Sequence, residues 1–121
     1  MPRPIHFEIP ADDPERAIAF YADAFGWRAE RFQGAEYWLV KTGEAGDPGI
    51  DGAISRRREQ GERPVNVVGV DSVASAVKRI EAARGRITVP RMAVPGVGWV
   101  AYALDTEGNP LGVFRPDSGA A

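Results

Sequence analysis

Histidine occurs once among the 121 residues, at position 6, and a glutamate follows two residues later at position 8. Both stand in the run Ile5-His6-Phe7-Glu8-Ile9, whose apolar and polar residues alternate with the period of two that marks a half-buried strand. Side chains two apart on a strand share a face, so Ile5, Phe7 and Ile9 point one way and His6 and Glu8 the other. An imidazole beside a carboxylate is suited to act as a general base or to anchor a polar ligand, with the carboxylate setting the tautomer or charge of the ring. The alternative is a hydrogen-bonded histidine that merely lines a wet cavity. His6 and Glu8 are accordingly the candidate catalytic pair.

The rest of the inventory works mainly by exclusion. The chain has no cysteine, which removes disulfides, thiolate metal sites and a cysteine nucleophile together. A single histidine excludes any di-histidine metal site. Ser55, Ser72, Ser75 and Ser118 lack the strained elbow of a nucleophilic serine, and no GxxxxGK[ST] phosphate loop is present. Fifteen Lys+Arg against seventeen Asp+Glu give a formal net charge of −2, so no bulk field favours nucleic acid. The basic run Arg56-Arg57-Arg58 precedes a Glu59-Gln60-Gly61-Glu62 segment that neutralises it. It reads as a solvated strand end or loop, with an anion site as the other option. No stretch approaches the roughly 20 apolar residues of a membrane span, and the first residues lack a secretory pattern. A cytoplasmic protein with neither nucleic-acid nor membrane partners is expected.

The elements that must position His6 and Glu8 follow from periodicity. Ala17, Phe20, Tyr21, Ala24 and Phe25 fall on one helical face, with Asp12 or Asp13 as cap, Pro14 in the first turn and Gly26 as stop. All three of its aromatics are expected in the core. A second helix starts at Asp71-Ser72, places Val73, Ala76, Val77, Ile80 and Ala83 on one face, and stops at Gly85. Besides the first run, strands are expected at 27–32, 36–41, 49–56, 65–70, 86–89, 99–104 and 111–115. The segment from Arg91 to Trp99 is a lid, a dimer contact or a bulged hairpin, and residues 117–121 read as a flexible tail. The order strand, helix, three strands occurs twice, an internal repeat of about 60 residues. HFEIPADDPERAIAFYADAFGW overlays VNVVGVDSVASAVKRIEAARGR, and GIDGAISR overlays NPLGVFR. One helix over four short strands leaves the other sheet face bare, so the two copies must share that face around a cavity.

The strands also carry aromatics. Alternation puts Tyr37 and Leu39 on one face and Trp38 and Val40 on the other, and which face is inward stays open. An aromatic-lined cleft would suit a flat apolar or aromatic compound; Trp38, Trp99, Tyr102 and Phe114 are the candidate ligand-binding aromatics. Ordinary sheet core is the alternative for each.

The βαβββ–βαβββ order resembles the vicinal oxygen chelate superfamily, which includes glyoxalase I, extradiol dioxygenases and bleomycin- or fosfomycin-resistance proteins. HFEIPADDPERAIAFYADAFGW, VDSV…AARGRI and PGVGWVAYALDTEGNPLGVF resemble its single-domain glyoxalase-like bacterial members, over about residues 3–116. The resemblance implies an α+β fold in which two βαβββ modules form a curved mixed sheet, an open barrel with a central cleft. One domain spans 1–116, with module one at 3–60 and module two at 63–116. It also implies a homodimer, and a divalent metal held by His and Glu on the first and last strands of each module. His6 is the matching slot. The others fall on Gly52 or Ala53, on Val65 or Asn66, and on Gly112, so no metal ligand set is assigned and any divalent metal would meet an incomplete site. Asn66 joins the candidate ligand-binding residues. The function expected from the resemblance is binding of a small apolar or aromatic molecule, with a degenerate metal site. The alternative is a lyase-, isomerase- or dioxygenase-type enzyme using His6 and Glu8 or a weakly held metal.

Overall fold

Capping residues set where both helices begin. The Asp13 side chain accepts from the Arg16 amide and the Ser72 side chain from the Ser75 amide, so each satisfies a backbone donor that the first turn leaves unpaired. The computed structural model describes residues 2–121. It contains β1 (Arg3–Ala11), α1 (Pro14–Phe25), β2 (Arg28–Arg31), β3 (Tyr37–Lys41) and β4 (Gly52–Arg56), followed by β5 (Val65–Gly69), α2 (Val73–Ala82), β6 (Arg86–Val94), β7 (Gly98–Leu104) and β8 (Pro110–Pro116). This α+β order is the repeated βαβββ expected from the sequence. No helix among the described residues is long and apolar enough to cross a membrane.

The chain divides into two units, His6–Pro64 and a second comprising Val65–Ala121 with residues 2–5. In the first, the strand order is β2-β3-β4-β1, with β1 parallel to β4 and the remaining pairs antiparallel. In the second, the order is β5-β8-β7-β6, with β5 parallel to β8 and the remaining pairs antiparallel. Each helix covers one face of its own sheet. In the first unit Ala11, Val40 and Ile54 are buried, and Ile9, Ala17, Ile18, Tyr21 and Trp27 pack against them. In the second, Val73, Ala101 and Val113 form the core with Val68, Val70, Ala76, Val77, Ile80, Trp99 and Leu111.

Three local expectations are corrected and one open reading is narrowed. The packed face of α1 runs through Pro14, Ala17, Ile18 and Tyr21; Phe20 falls beside that stripe and Phe25 is the last residue of the helix, and both, expected in the core, are 60% and 65% exposed. Their rings instead extend an aromatic cluster over Tyr21 and Trp27 at centroid distances of 5.1 to 6.3 Å. The second helix stops one residue early, because Arg84 itself takes a left-handed φ of 74°. Gly85 serves close packing instead: a Cβ there would lie 2.6 Å from Ile80 Cγ2. The Arg91–Trp99 segment forms the bulged hairpin, since β6 continues to Val94 and pairs with β7 through two register shifts. Finally, the segment expected as a flexible tail is tied down. The Asp117 amide donates to the Val97 carbonyl, the Gly96 amide donates to the Ala120 carbonyl, and Ala120 is buried.

Candidate functional site

The β1–β4 register decides which residues accompany His6. Glu8 pairs with Ala53 and Ile9 with Ile54, and Ile54 lies in the core beneath α1. The face of His6 and Glu8 is therefore the one that α1 leaves uncovered, and Ala53 shares it. Gly52 belongs to the other face, where a Cβ would fall 2.4 Å from the Phe7 ring. On β3, Val40 is buried in the α1 core. Alternation then places Trp38 with Val40, and Tyr37 and Leu39 on the His6 face.

Across this face runs a continuous polar chain. The Tyr37 hydroxyl donates to Glu8 Oε2 at 2.6 Å and lies 2.9 Å from His6 Nε2. His6 Nε2 and Glu8 Oε2 are themselves 4.0 Å apart. Tyr37 and Glu8 sit on strands separated by β4, where Ala53 and Ser55 share their face. Only small side chains at these two positions let the phenol span the intervening strand. The side chains of His6 and Glu8 are 25% and 16% exposed, so the pair is sheltered but reachable. Burial lowers the His6 pKa below its ordinary value of 6.5, and the neighbouring Glu8 and Asp51 carboxylates partly oppose that shift. The shift favours the neutral imidazole at pH 7.

The structure brings together His6 and Glu8, and adds Tyr37, which the alternation had placed on one face without saying which. It separates the aromatics expected to bind ligand. Trp38 lies on the α1 face beneath the Arg31 guanidinium, 5.3 Å from the ring centroid. Trp99 packs in the α2 core, donates through Nε1 to Asp117 Oδ2 at 3.0 Å, and carries the Arg91 guanidinium 4.4 Å from its centroid. Asn66 alternates with Val67 and is exposed. Tyr102 and Phe114 do share a face, the one opposite α2. A Cβ at Gly112 would stand 3.1 Å from Tyr102, and one at Gly98 2.7 Å from Phe114. The arginine run is used internally: Arg56 bonds Glu36 Oε1 at 2.8 Å, and Arg57 bonds Asp12 Oδ1 at 2.9 Å together with the Glu62 and Pro10 carbonyls.

The donor set does not fit a divalent metal. Register and alternation resolve the paired options of the sequence to His6 and Ala53 in the first module, and to Val65 and Gly112 in the second. Of these four positions only His6 carries a donor atom, and with Glu8 beside it the face still falls short of the three protein ligands a catalytic metal takes. Among the described residues no three His, Asp or Glu are grouped to do so elsewhere.

The model of the Bleomycin resistance protein-like N-terminal family matches residues 3–43. Among curated proteins none matches the sequence at a significant level. Solved structures extend the likeness to the whole chain. A methylmalonyl-CoA epimerase from Streptomyces coelicolor aligns with a TM-score of 0.69 at 16% identity, covering 98% of this chain and 97% of that one. A glyoxalase/bleomycin resistance protein/dioxygenase superfamily member from Vibrio splendidus aligns at 0.70 and 14% identity, covering 95% and 99%. The methylmalonyl-CoA epimerase from Mycobacterium tuberculosis aligns at 0.66 and 16% identity, covering 94% and 87%. The chain therefore has the fold of the glyoxalase/bleomycin resistance protein/dioxygenase superfamily, with a bleomycin-resistance-like sequence over residues 3–43.

Proposed function

We propose that this chain binds a small apolar or aromatic molecule on the sheet face that α1 leaves uncovered, with neutral His6 as its polar anchor. The observation that carries the reading is the His6–Tyr37–Glu8 chain, three polar side chains from two separate strands held in one sheltered network. Exposed Leu39, on the same face, adds apolar surface beside it. The small-molecule complexes named for structures of this fold, such as the epimerase with 2-nitronate-propionyl-CoA, lend support by analogy. Binding is proposed without a metal, because the donor positions are unsuited to one. The expected homodimer and cytoplasmic location go with this reading as proposals, the dimer to be checked by light scattering.

A screen of aromatic fragments by protein NMR tests the proposal, with wild type and His6→Ala compared. Loss of one hydrogen bond to a sheltered imidazole should weaken a hit by roughly tenfold, while the variant remains folded. Unchanged affinity accompanied by lost stability would show that His6 is only a packed residue. An acid–base enzyme of lyase or isomerase type is the second reading, favoured by the neutral imidazole backed by Glu8. Solvent deuterium entering a bound fragment in wild type but not in His6→Ala would select it.

A further inference from the structure

The polarity of the His6–Tyr37–Glu8 chain follows from proton counting. A carboxylate has no hydrogen to give, so in the 2.6 Å contact the Tyr37 hydroxyl must donate to Glu8. That spends its one proton. The 2.9 Å contact with His6 then requires Nε2 to donate to Tyr37 Oη. With the hydrogen on Nε2, the lone pair of the neutral ring lies on Nδ1. Among the described residues Nδ1 accepts no hydrogen bond, and no side-chain nitrogen or oxygen cut off from solvent lacks a partner. Nδ1 is therefore the nitrogen that solvent, or a ligand, can reach.

Resting on the binding reading above, we propose that Tyr37 is a positioning residue that relays the Glu8 charge to hold His6 as its Nε2–H tautomer, and that the ligand this selects presents a weakly acidic hydroxyl, such as a phenol, to Nδ1. An acceptor such as an ether or ketone finds no proton at Nδ1. An anion is disfavoured by Glu8 and Asp51, both close enough to act on the His6 charge. Leu39, paired with Ala53 on the same face and 43% exposed, offers the apolar surface that an aromatic ring would cover.

Because His6 is the one histidine, imidazole nitrogen correlations of 15N-labelled protein report this ring alone. At pH 7.5 the wild type should show a protonated Nε2 and an unprotonated Nδ1. Tyr37→Phe, which keeps the ring packed on Phe32 at 6.1 Å, should populate both tautomers. Glu8→Gln, whose amide can either donate or accept, should lift the same bias and guards against misfolding of the first variant. In the same samples 4-methylphenol should bind wild type about tenfold more tightly than 4-methylanisole, with the preference reduced to about twofold in Tyr37→Phe. A wild-type ring protonated at Nδ1, or a tautomer unmoved by both substitutions, overturns the relay. Equal binding of the two probes, or binding of neither, overturns the ligand class. The tautomer measurement needs no ligand, so a failed relay is distinguished from a face that binds nothing.

Discussion

Gly52→Ala tests the facing of β4 on which the site depends. The new Cβ would stand 2.4 Å from Phe7 Cδ1 and Cε1 and 2.5 Å from Cγ. Carbon atoms rest at about 3.5–4.0 Å, so the overlap is roughly 1.1–1.6 Å against the plane of a ring. Phe7 is not free to swing aside, since its ring packs 5.7 Å from Trp27, which itself stacks on Tyr21 at 4.8 Å. Overpacking of this kind costs about 1–3 kcal/mol. Gly52 is not among the glycines with positive φ, so alanine also removes unfolded-state entropy, a gain of about 0.4–1 kcal/mol. An overlap this large against a held ring belongs in the upper half of the overpacking cost, about 2–3 kcal/mol, so the expected net loss is about 1–2.6 kcal/mol. For a 121-residue domain that lowers Tm by about 4–10 °C in a thermal melt. Phe7→Leu in the same chain should recover part of the loss, giving a measurable coupling between the two sites. A Gly52→Ala protein melting with wild type would refute the facing, and with it the assignment of Ala53 to the His6 side.

Other outcomes follow from the same geometry. Ala53→Leu fills the space between Tyr37 and Glu8 on β4, and should break the phenol–carboxylate bond; the His6 nitrogen spectrum would then resemble that of Tyr37→Phe. His6 is less basic in the folded chain than its ordinary value of 6.5, so the unfolded chain binds the proton first as pH falls. Its contribution is fully present above about pH 6.5 and is lost as pH drops toward the folded value. Urea unfolding at pH 7.5 and 5.5 should show this decline, reduced in His6→Ala. Asp13→Ala removes the α1 cap and should cost about 1 kcal/mol, read as a lower urea midpoint with unchanged slope. Trp99→Phe deletes the indole donor to Asp117 and should speed hydrogen exchange at the Asp117 and Gly119 amides, leaving the β7–β8 amides protected.

Much of this was legible because it depends on neighbours in the chain. Asp13, Pro14 and Gly26 bound α1, and Ser72 starts α2, because each acts on backbone groups within one turn. His6 and Glu8 could be joined because they lie two apart on one strand. The helix faces were less secure. A period of 3.6 leaves Phe20 at the margin of the stripe but puts Phe25, the last residue of α1, on it, and only contact with a sheet decides whether a residue at the margin or at the helix end is covered. The end of the chain misled because Asp117–Ala121 has no periodicity of its own, and its order comes from Trp99 and the β6–β7 turn.

The sequence by itself determined the two βαβββ repeats, the capped helices, and a histidine and glutamate on a common face, all of which follow from spacing along the chain. Tertiary structure alone decided which face that is. Strand alternation sorts side chains into two sets but does not say which set the helix will cover. That choice is made by register between β1, β4 and β3, strands distant in sequence, and it brought Tyr37 rather than Trp38 to His6, and Ala53 rather than Gly52 beneath them.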